Sequence, residues 1–428
     1  MKKFHDKKTT ATATVDYRNR YPKWNDEKKR EWTILAPNML PWHFDVIKDF
    51  LADEGYNIEI LTKNDRTVID EGLKHVHNDT CYPCMCVTGQ FIDALKSGKY
   101  DLNHTALIIT QSGGGCRASN YIPLITKAIH QQFPTVPVMS LNFAGLEGDN
   151  QMKVSLSLLA KFAYSIAYCD TVMWCYNQTK PYELVEGSAD AMRDKAQEFI
   201  KSKFKQGGYT NHRRINQYVI DLFKSVPRDT TVKKPKVGIV GEIYVKYAPL
   251  GNNNLEKFLL DEGCEPVVPP LLDFILYCIV NVINDRKLYG YKGIKYPVYK
   301  VVYKFIRKIQ KTVIKQLTDS GVFAPVHDFE HLRRLADVVI NQGVKMGEGW
   351  LIPAEMAAFA STDTPNIICT QPFGCLPNHI VGKGMVRTIK NLYPDSNIVA
   401  VDYDSSASRV NQENRIKLMI SIAKKNQT

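Results

Sequence analysis

The segment that most constrains the fold begins with an apolar run, TALIIT at Thr105–Thr110, and continues into the glycine turn QSGGGCRASNY at 111–121. An amphipathic run at 122–129 follows, so the order predicts strand, turn and helix, the repeating unit of parallel α/β sheets. Glycine lets backbone approach a guest closely, and the helix start directs free N–H groups at the same place. With Cys116 inside the turn, these features predict an electron-rich guest held by sulfur.

The alternation of strand and helix occurs twice, which predicts an α/β protein with two parallel-sheet, Rossmann-like or flavodoxin-like domains. Thr370-Gln371 to Gly374-Cys375 repeats the order strand, Gln, Gly, Cys and helix of the first turn, which indicates shared geometry rather than a duplication. The predicted divisions are a basic N-terminal tail at 1–30, a first α/β domain at 31–150, a helical segment at 151–230, and a second α/β domain at 231–428 with a helical insertion at about 270–320.

Composition predicts a globular, cytoplasmic protein without a membrane segment. The chain has 428 residues, of which 44% are hydrophobic and 23% charged. The start lacks an apolar signal core, and the longest apolar run, at 271–283, is shorter than the roughly 20 residues that span a bilayer. The net charge of +12 is read first as a solvated basic face, and second as attraction to an anionic partner or phosphate-bearing substrate. Nucleic acid is not expected, because no nucleic-acid motif accompanies the charge.

The chain has ten cysteines, and a disulfide scaffold is not expected in a long chain without a secretion signal. Three lie in loops marked by Gly or Pro that precede helices: Cys81, Cys116 and Cys375. Four lie within apolar runs, which predicts small buried side chains: Cys169, Cys264, Cys278 and Cys369. The roles of Cys84 and Cys86 stay open, and the Cys81-x-x-Cys84 spacing also suits a redox or ligand pair.

The first three cysteines are the predicted metal ligands, because ligands of parallel sheets bind outside the carboxyl ends of strands. Thiolates hold iron–sulfur clusters, and backbone N–H groups donate to the sulfurs, so a [4Fe–4S] cluster is the expected guest. The predicted supporting residues are the turn glycines and one cation that offsets charge: Gly113, Gly114, Gly115, Gly374 and Arg117. Two alternatives remain, unliganded loop cysteines and structural zinc, although closed zinc sites usually show paired ligands at short spacing.

Five motifs carry a family resemblance: HNDTCYP at 77–83, QSGGGCRASNY at 111–121, GEIYVKY at 241–247, GEG at 347–349 and PFGC at 372–375. From about residue 32 to 422 the chain resembles the 2-hydroxyacyl-CoA dehydratase superfamily, in the branch of the C-terminal region of large acyl-CoA dehydratase activase-type proteins. The resemblance implies three cysteines per [4Fe–4S] cluster at the meeting of two α/β domains, with a double-cubane cluster as the variant.

The resemblance also implies anaerobic chemistry, either low-potential electron transfer or reductive dehydration of an acyl thioester, with an acyl-CoA substrate. Its implied partner is an ATP-hydrolysing activator protein of actin/Hsp70-like fold, and a homodimer or heterodimer is a further expectation. This chain has no Walker loop, since the turn at 112–116 lacks the Gly-Lys-Ser/Thr ending of one. ATP binding by the glycine turn is therefore not predicted.

Glu242 and His379 are the candidate catalytic acid–base groups, because each follows a core strand on the expected ligand side. The alternatives are a capping carboxylate for Glu242, and for Glu348 in GEG, and a surface histidine in the first helical turn for His379. Two functions stay open. One is a dehydratase or reductase component that needs an ATP-dependent activator; the other is a non-catalytic accessory or scaffold protein with a structural iron–sulfur or zinc site.

Overall fold

The structure is a computed structural model that describes residues 21–77, 79–111, 115–141, 151–291, 293 and 296–426. It contains two four-stranded sheets whose strands are all parallel, which confirms the predicted α/β class. The strands of the first sheet are β1 Thr33–Pro37, β2 Ile58–Leu61, β3 Thr105–Thr110 and β4 Val138–Leu141. Those of the second are β5 Lys236–Gly241, β6 Glu265–Val267, β7 Asn366–Pro372 and β8 Asn397–Tyr403.

Both sheets have the same strand order. It is β2-β1-β3-β4 in the first sheet and β6-β5-β7-β8 in the second. The first and third strands of each half therefore pair at the centre, and the chain leaves them in opposite directions, which opens a crevice at their carboxyl ends. Cys116 follows β3 and Cys375 follows β7, so the two cysteines occupy equivalent positions on the two sheets. The two strands that precede these cysteines, β3 and β7, are apolar in their central residues and buried on both faces.

The described residues contain seventeen α-helices. The first sheet is followed or crossed by α1 Pro41–Asp53, α2 Arg66–Leu73, α3 Tyr82–Lys96 and α4 Tyr121–His130; the middle segment holds α5 Leu156–Asn177, α6 Ser188–Lys205 and α7 His212–Lys224. The second half holds α8 Ile243–Tyr247, α9 Pro249–Asn252, α10 Leu255–Asp261, α11 Leu271–Tyr289, α12 Tyr296–Ser320, α13 Phe329–Val339, α14 Leu351–Ala360, α15 Leu376–Val381, α16 Val386–Leu392 and α17 Arg409–Lys425. In the part of the chain described, no helix combines the length and apolarity needed to cross a bilayer.

The helices α11 and α12 form a helical hairpin inserted into the second half. Gln310 of α12 donates a hydrogen bond to Asp273 at the start of α11 over 2.6 Å, in the buried contact between them. Arg307 of α12 pairs with Asp328, the residue that caps α13, at 2.7 Å. The hairpin is thus held at its base by buried polar contacts, while its far end extends to Tyr289 and Tyr296.

Residues 21–30 pack on the first half rather than forming the predicted tail. The side chain of Trp24 is buried in the core, and the Tyr56 hydroxyl donates to Asp26 over 2.8 Å. These two aromatic anchors give the segment an apolar contact that its polar sequence did not predict. Residues 1–20, the rest of the predicted tail, lie outside the described residues.

Candidate metal centre

Cys81 and Cys375 lie against each other although they belong to different halves of the chain. The backbone N–H of Tyr82, next to Cys81, donates to the carbonyl of Phe373 over 3.1 Å. Gly374 adopts a φ of +76°, and a Cβ there would lie 3.2 Å from the Asp79 carbonyl and 3.5 Å from the Cys81 Cα. The glycine before Cys375 is therefore needed for the close approach of the two loops.

Both cysteine side chains are buried, and their sulfurs interact. Contact with the Cys81 thiol is the largest cause that raises the pKa of Cys375 well above its usual range, and burial adds to it. A thiolate at Cys375 is therefore disfavoured in this buried space unless a cation lies beside it.

Each of the two sulfurs receives one side-chain hydrogen bond. The Tyr121 hydroxyl, from the first residue of α4, donates to Cys81 Sγ over 3.1 Å. The Asn378 amide, from the first turn of α15, donates to Cys375 Sγ over 3.3 Å. Hydrogen bonds of this kind to ligand sulfurs tune the potential of an iron–sulfur cluster.

The loop of Cys116 is tied to the loop of Cys81. Arg117 donates from its guanidinium to the carbonyl of Thr80 over 2.7 Å and also to the carbonyl of Asp79. Arg117 therefore binds the backbone of the segment that precedes Cys81. Its charge lies beside the site, as predicted, but its hydrogen bonds are to backbone carbonyls. Unlike the other two cysteines, Cys116 is partly exposed.

Of the predicted turn glycines, Gly115 is described, while Gly113 and Gly114 lie outside the described residues. A Cβ on Gly115 would lie 2.4 Å from Sδ of Met346, which belongs to the 343–349 loop between α13 and α14. Gly347 of the same loop faces Pro377, where its Cβ would lie 3.3 Å from the proline ring. The 343–349 loop therefore packs against both the Cys116 turn and the helix that follows Cys375.

Two buried carboxyls complete the centre. Glu242 caps α8 by accepting from the Val245 N–H at 2.8 Å. Glu348 accepts from the Ile243 N–H at 3.1 Å and from the Asn378 amide at 3.0 Å. Burial raises the pKa of both carboxyls, and for Glu242 the neighbouring Glu348 and Cys375 raise it further. Glu242 is thus both a helix cap, as one interpretation predicted, and a carboxyl with a raised pKa beside Cys375.

The second candidate acid–base group, His379, faces another set of partners. With the Gln371 amide oriented so that its oxygen accepts from the Lys383 N–H over 2.7 Å, its nitrogen donates to His379 Nδ1 over 3.3 Å and to the Asp402 carboxylate over 3.1 Å. These partners lie at the end of β7 and within β8. Geometry therefore favours Glu242 over His379 as the group adjoining the cysteines.

Cys84 and Cys86 are buried within α3. Burial raises the pKa of the Cys84 thiol to about 12 and that of Cys86 further. A thiol held neutral in the core serves poorly as a redox partner, which speaks against the Cys81-x-x-Cys84 pair. Of the four cysteines predicted to be buried, Cys169, Cys264 and Cys369 are so, but Cys278 is exposed on α11, so that prediction was wrong for Cys278. An apolar run cannot tell which face of its helix meets solvent.

The donor set of the candidate centre is two buried thiols, two buried carboxyls and a third cysteine loop. Among the residues described, no three His, Cys, Asp or Glu side chains are grouped as ligands of one metal ion. Lys246, a cation that lowers the pKa of Glu348, lies 3.3 Å from Glu355. A cluster needs only sulfur ligands set around it, which three adjoining cysteine loops can provide.

Two buried polar atoms at the centre also lack a partner among the described residues. They are Asn378 Oδ1 and the hydroxyl of Tyr244, which follows Glu242 by two positions. Unpaired buried polar atoms are costly, so a guest that accepts from the hydroxyl would relieve the cost. Asn378 was not predicted from the sequence. Its place three residues after Cys375 in a first helical turn is the signal that marks it.

Comparison with known proteins gave no match: no protein-family model, no curated protein and no solved structure matches this chain. The resemblance to the 2-hydroxyacyl-CoA dehydratase superfamily therefore stays a prediction. The geometry of the cysteine loops is the independent support for a function.

Proposed function

We propose that Cys81, Cys116 and Cys375 hold a [4Fe–4S] cluster, and that the protein acts in low-potential electron transfer or in reductive dehydration of an acyl thioester. The observation that carries the proposal is the contact of Cys81 with Cys375, each with its own hydrogen-bond donor, beside a third cysteine loop anchored by Arg117. When bound, a cluster of this type supplies one electron at low potential.

The residues around the cysteines have separable roles in this proposal. Tyr121 and Asn378 donate to the ligand sulfurs and orient them. The buried side of the site, with Cys81 and Cys375, excludes water, while the partly exposed Cys116 marks the side open to a substrate or a partner. Glu242 holds a proton on its carboxyl beside Cys375, where an acid is useful to a departing hydroxyl group.

The remaining parts of the proposal follow from the resemblance. The partner would be an ATP-hydrolysing activator of actin/Hsp70-like fold, the substrate an acyl-CoA, and the compartment an anaerobic cytoplasm. A double-cubane cluster is the variant of the cofactor. The motifs around Cys81, Cys116 and Cys375 support these assignments.

Anaerobic purification with iron and sulfide analysis tests the proposal. We expect brown protein with iron and acid-labile sulfide, and expect Cys81→Ser, Cys116→Ser and Cys375→Ser each to lose most of both. Cys264→Ser is the control, because that cysteine is buried beside β6, away from the centre, and is not a proposed ligand. Protein that stays colourless and iron-free after reconstitution, or that binds zinc instead, contradicts the proposal.

A structural metal site in a non-catalytic accessory protein is the second candidate. The burial of Cys81 and Cys375 between the two halves favours it, since a metal there would join them. Cys116→Ser separates the candidates. A variant that loses iron and its fold, while cluster-free wild-type protein remains active with its partner, supports the structural role.

A further inference from the structure

The far end of the α11–α12 hairpin exposes a group of large apolar side chains. We call it the tip patch: Leu288, Tyr289, Tyr291, Val298 and Val301, with exposed fractions of 41%, 54%, 66%, 61% and 68%. The patch is compact in sequence and lies on the ends of two packed helices. Clustered exposed apolar side chains with a polar surround are typical of protein interaction sites.

A row of unpaired lysines borders the tip patch along α12. We call it the lysine ladder: Lys300, Lys304, Lys308 and Lys311. The spacing of three or four residues puts all four on one helix face, and each is exposed. Within the described residues none of the four forms an ion pair, although the Lys300 ammonium lies over the Tyr296 ring, 4.7 Å from its centroid. The ladder continues into a groove of about 700 Å³ that is lined by Arg213 of α7 and also by the carboxylates of Asp319 and Glu330.

The tip patch is fixed to the loop that lines the cysteine site. The Tyr289 hydroxyl donates to the Gly343 carbonyl over 3.1 Å. Further down α11, the Tyr277 hydroxyl donates to the carbonyls of Lys345 and Gly347 over 2.9 Å and 3.0 Å. The Lys345 ammonium also pairs with a carboxylate of α11, so the 343–349 loop is held along the hairpin.

The same loop reaches the exposed side of the candidate site through Met346, which covers Gly115 beside Cys116. The path from the tip patch to Cys116 therefore passes through one short loop. The tip patch is thus linked through this loop to the side of the site that carries the partly exposed cysteine.

We propose that the tip patch and the lysine ladder dock an acidic electron-donor protein, with the patch as the apolar centre of the interface and the ladder as its charged rim. This inference rests on the proposed function, which requires a donor. Unpaired lysines call for carboxylates on the partner, and they would steer its approach. Three of the five patch side chains are leucine or valine, which neither bind phosphate nor stack on bases, so a protein is favoured over nucleic acid.

The test measures association of the iron-free chain with a small acidic ferredoxin, used as the probe, at low and high salt. We expect salt-sensitive binding, and a roughly tenfold slower association for the triple variant Lys300→Glu, Lys304→Glu, Lys308→Glu. The control triple Lys195→Glu, Lys205→Glu, Lys390→Glu changes net charge equally at exposed, unpaired sites and should bind as wild type does.

A second variant tests the apolar centre. Tyr291→Ser with Val301→Asn should speed dissociation of the ferredoxin while leaving its association rate and salt dependence unchanged, because the charges remain. Circular dichroism verifies that all variants fold, since every altered side chain is exposed.

Three results would overturn the docking proposal. The first is a wild-type protein that does not bind the probe at low salt. The second is an equal weakening of binding by both charge-reversal triples, which would show an effect of net charge alone. Sedimentation with phosphatidylglycerol vesicles that the ladder triple abolishes, without ferredoxin binding, would assign the surface to anionic lipid. Because binding is measured without iron, the docking result and the iron analysis of the proposed function can fail separately.

Discussion

At the scale of single residues, the candidate centre places one hydrogen-bond donor on each of its two buried sulfurs. Tyr121 donates to Cys81 and Asn378 donates to Cys375. The two donors come from different helices in different halves of the chain. Their convergence indicates that the environment suits sulfur carrying negative charge.

Replacing Tyr121 by Phe removes one of these donors. We expect the free energy of unfolding of the metal-free protein to fall by about 1 kcal/mol, the usual net contribution of one hydrogen bond, in urea unfolding. Tyr218→Phe is the control, because its ring stacks on Phe199 but no hydrogen bond from its hydroxyl occurs among the described residues. Equal losses in the two variants would contradict a role for the bond to Cys81.

At the scale of elements, the central strands β5 and β7 meet at a point that only glycine allows. Gly241 ends β5 with a φ of +136°, pairs with Thr370 in register, and a Cβ there would lie 2.0 Å from the Thr370 carbonyl oxygen. The next residue is Glu242, which caps α8. The sharp departure of the chain from β5 is therefore what directs Glu242 into the centre.

Gly241→Ala should lower the free energy of unfolding by about 3–5 kcal/mol, since it combines backbone strain with overlap against a neighbouring strand. Gly263→Ala is the matched control: its φ of +77° carries strain, but nothing lies within 4 Å of the new Cβ. For the control we expect a loss of about 1 kcal/mol. Denaturant unfolding in which the two variants lose equal stability would refute the overlap.

At the scale of the whole molecule, one hydrophobic cluster extends through both sheets and the middle helices, so we expect the two halves to unfold in a single transition.

His327 lies in the second half, packed on Phe359 with ring centroids 5.7 Å apart. Burial, and then the neighbouring His331, lower the pKa of His327 to about 4. The folded protein therefore takes up this proton at a lower pH than the unfolded chain does.

The contribution of His327 to stability should in consequence fall as pH is lowered from 7 to 5. The depressed pKa contributes stability that is fully present above the unfolded value near 6.5 and is lost as pH falls through that value toward 4. We expect this contribution to fall by about 1–2 kcal/mol, and His327→Gln to remove it, while buried carboxyls with a raised pKa, such as Glu242, act in the opposite direction in both proteins. Urea unfolding at each pH gives the measurement, and the same pH dependence in wild type and variant would contradict the prediction.

The sequence predicts the architecture well because alternation of strand and helix is a local signal. The runs around Thr105–Thr110 and Asn366–Pro372 became the central strands, and the flanking Gly and Pro residues correctly marked loops that meet. The contacts that define the centre are not local. Asn378 and the 343–349 loop reach it only through the folding of the second half, and the exposure of Cys278 depends on which face of α11 packs inward.

The placement of Cys81 has a consequence for how the two halves and a metal influence each other. Cys81 belongs to the first half, but its neighbours Phe373 and Gly374 belong to the second. Any ligand that binds sulfur from both sides therefore shares its binding free energy with the contact between the halves. Removing a metal with a chelator would weaken the contact between the halves. A mutation that weakens this contact would lower the metal affinity, even if the mutated residue lay far from every cysteine.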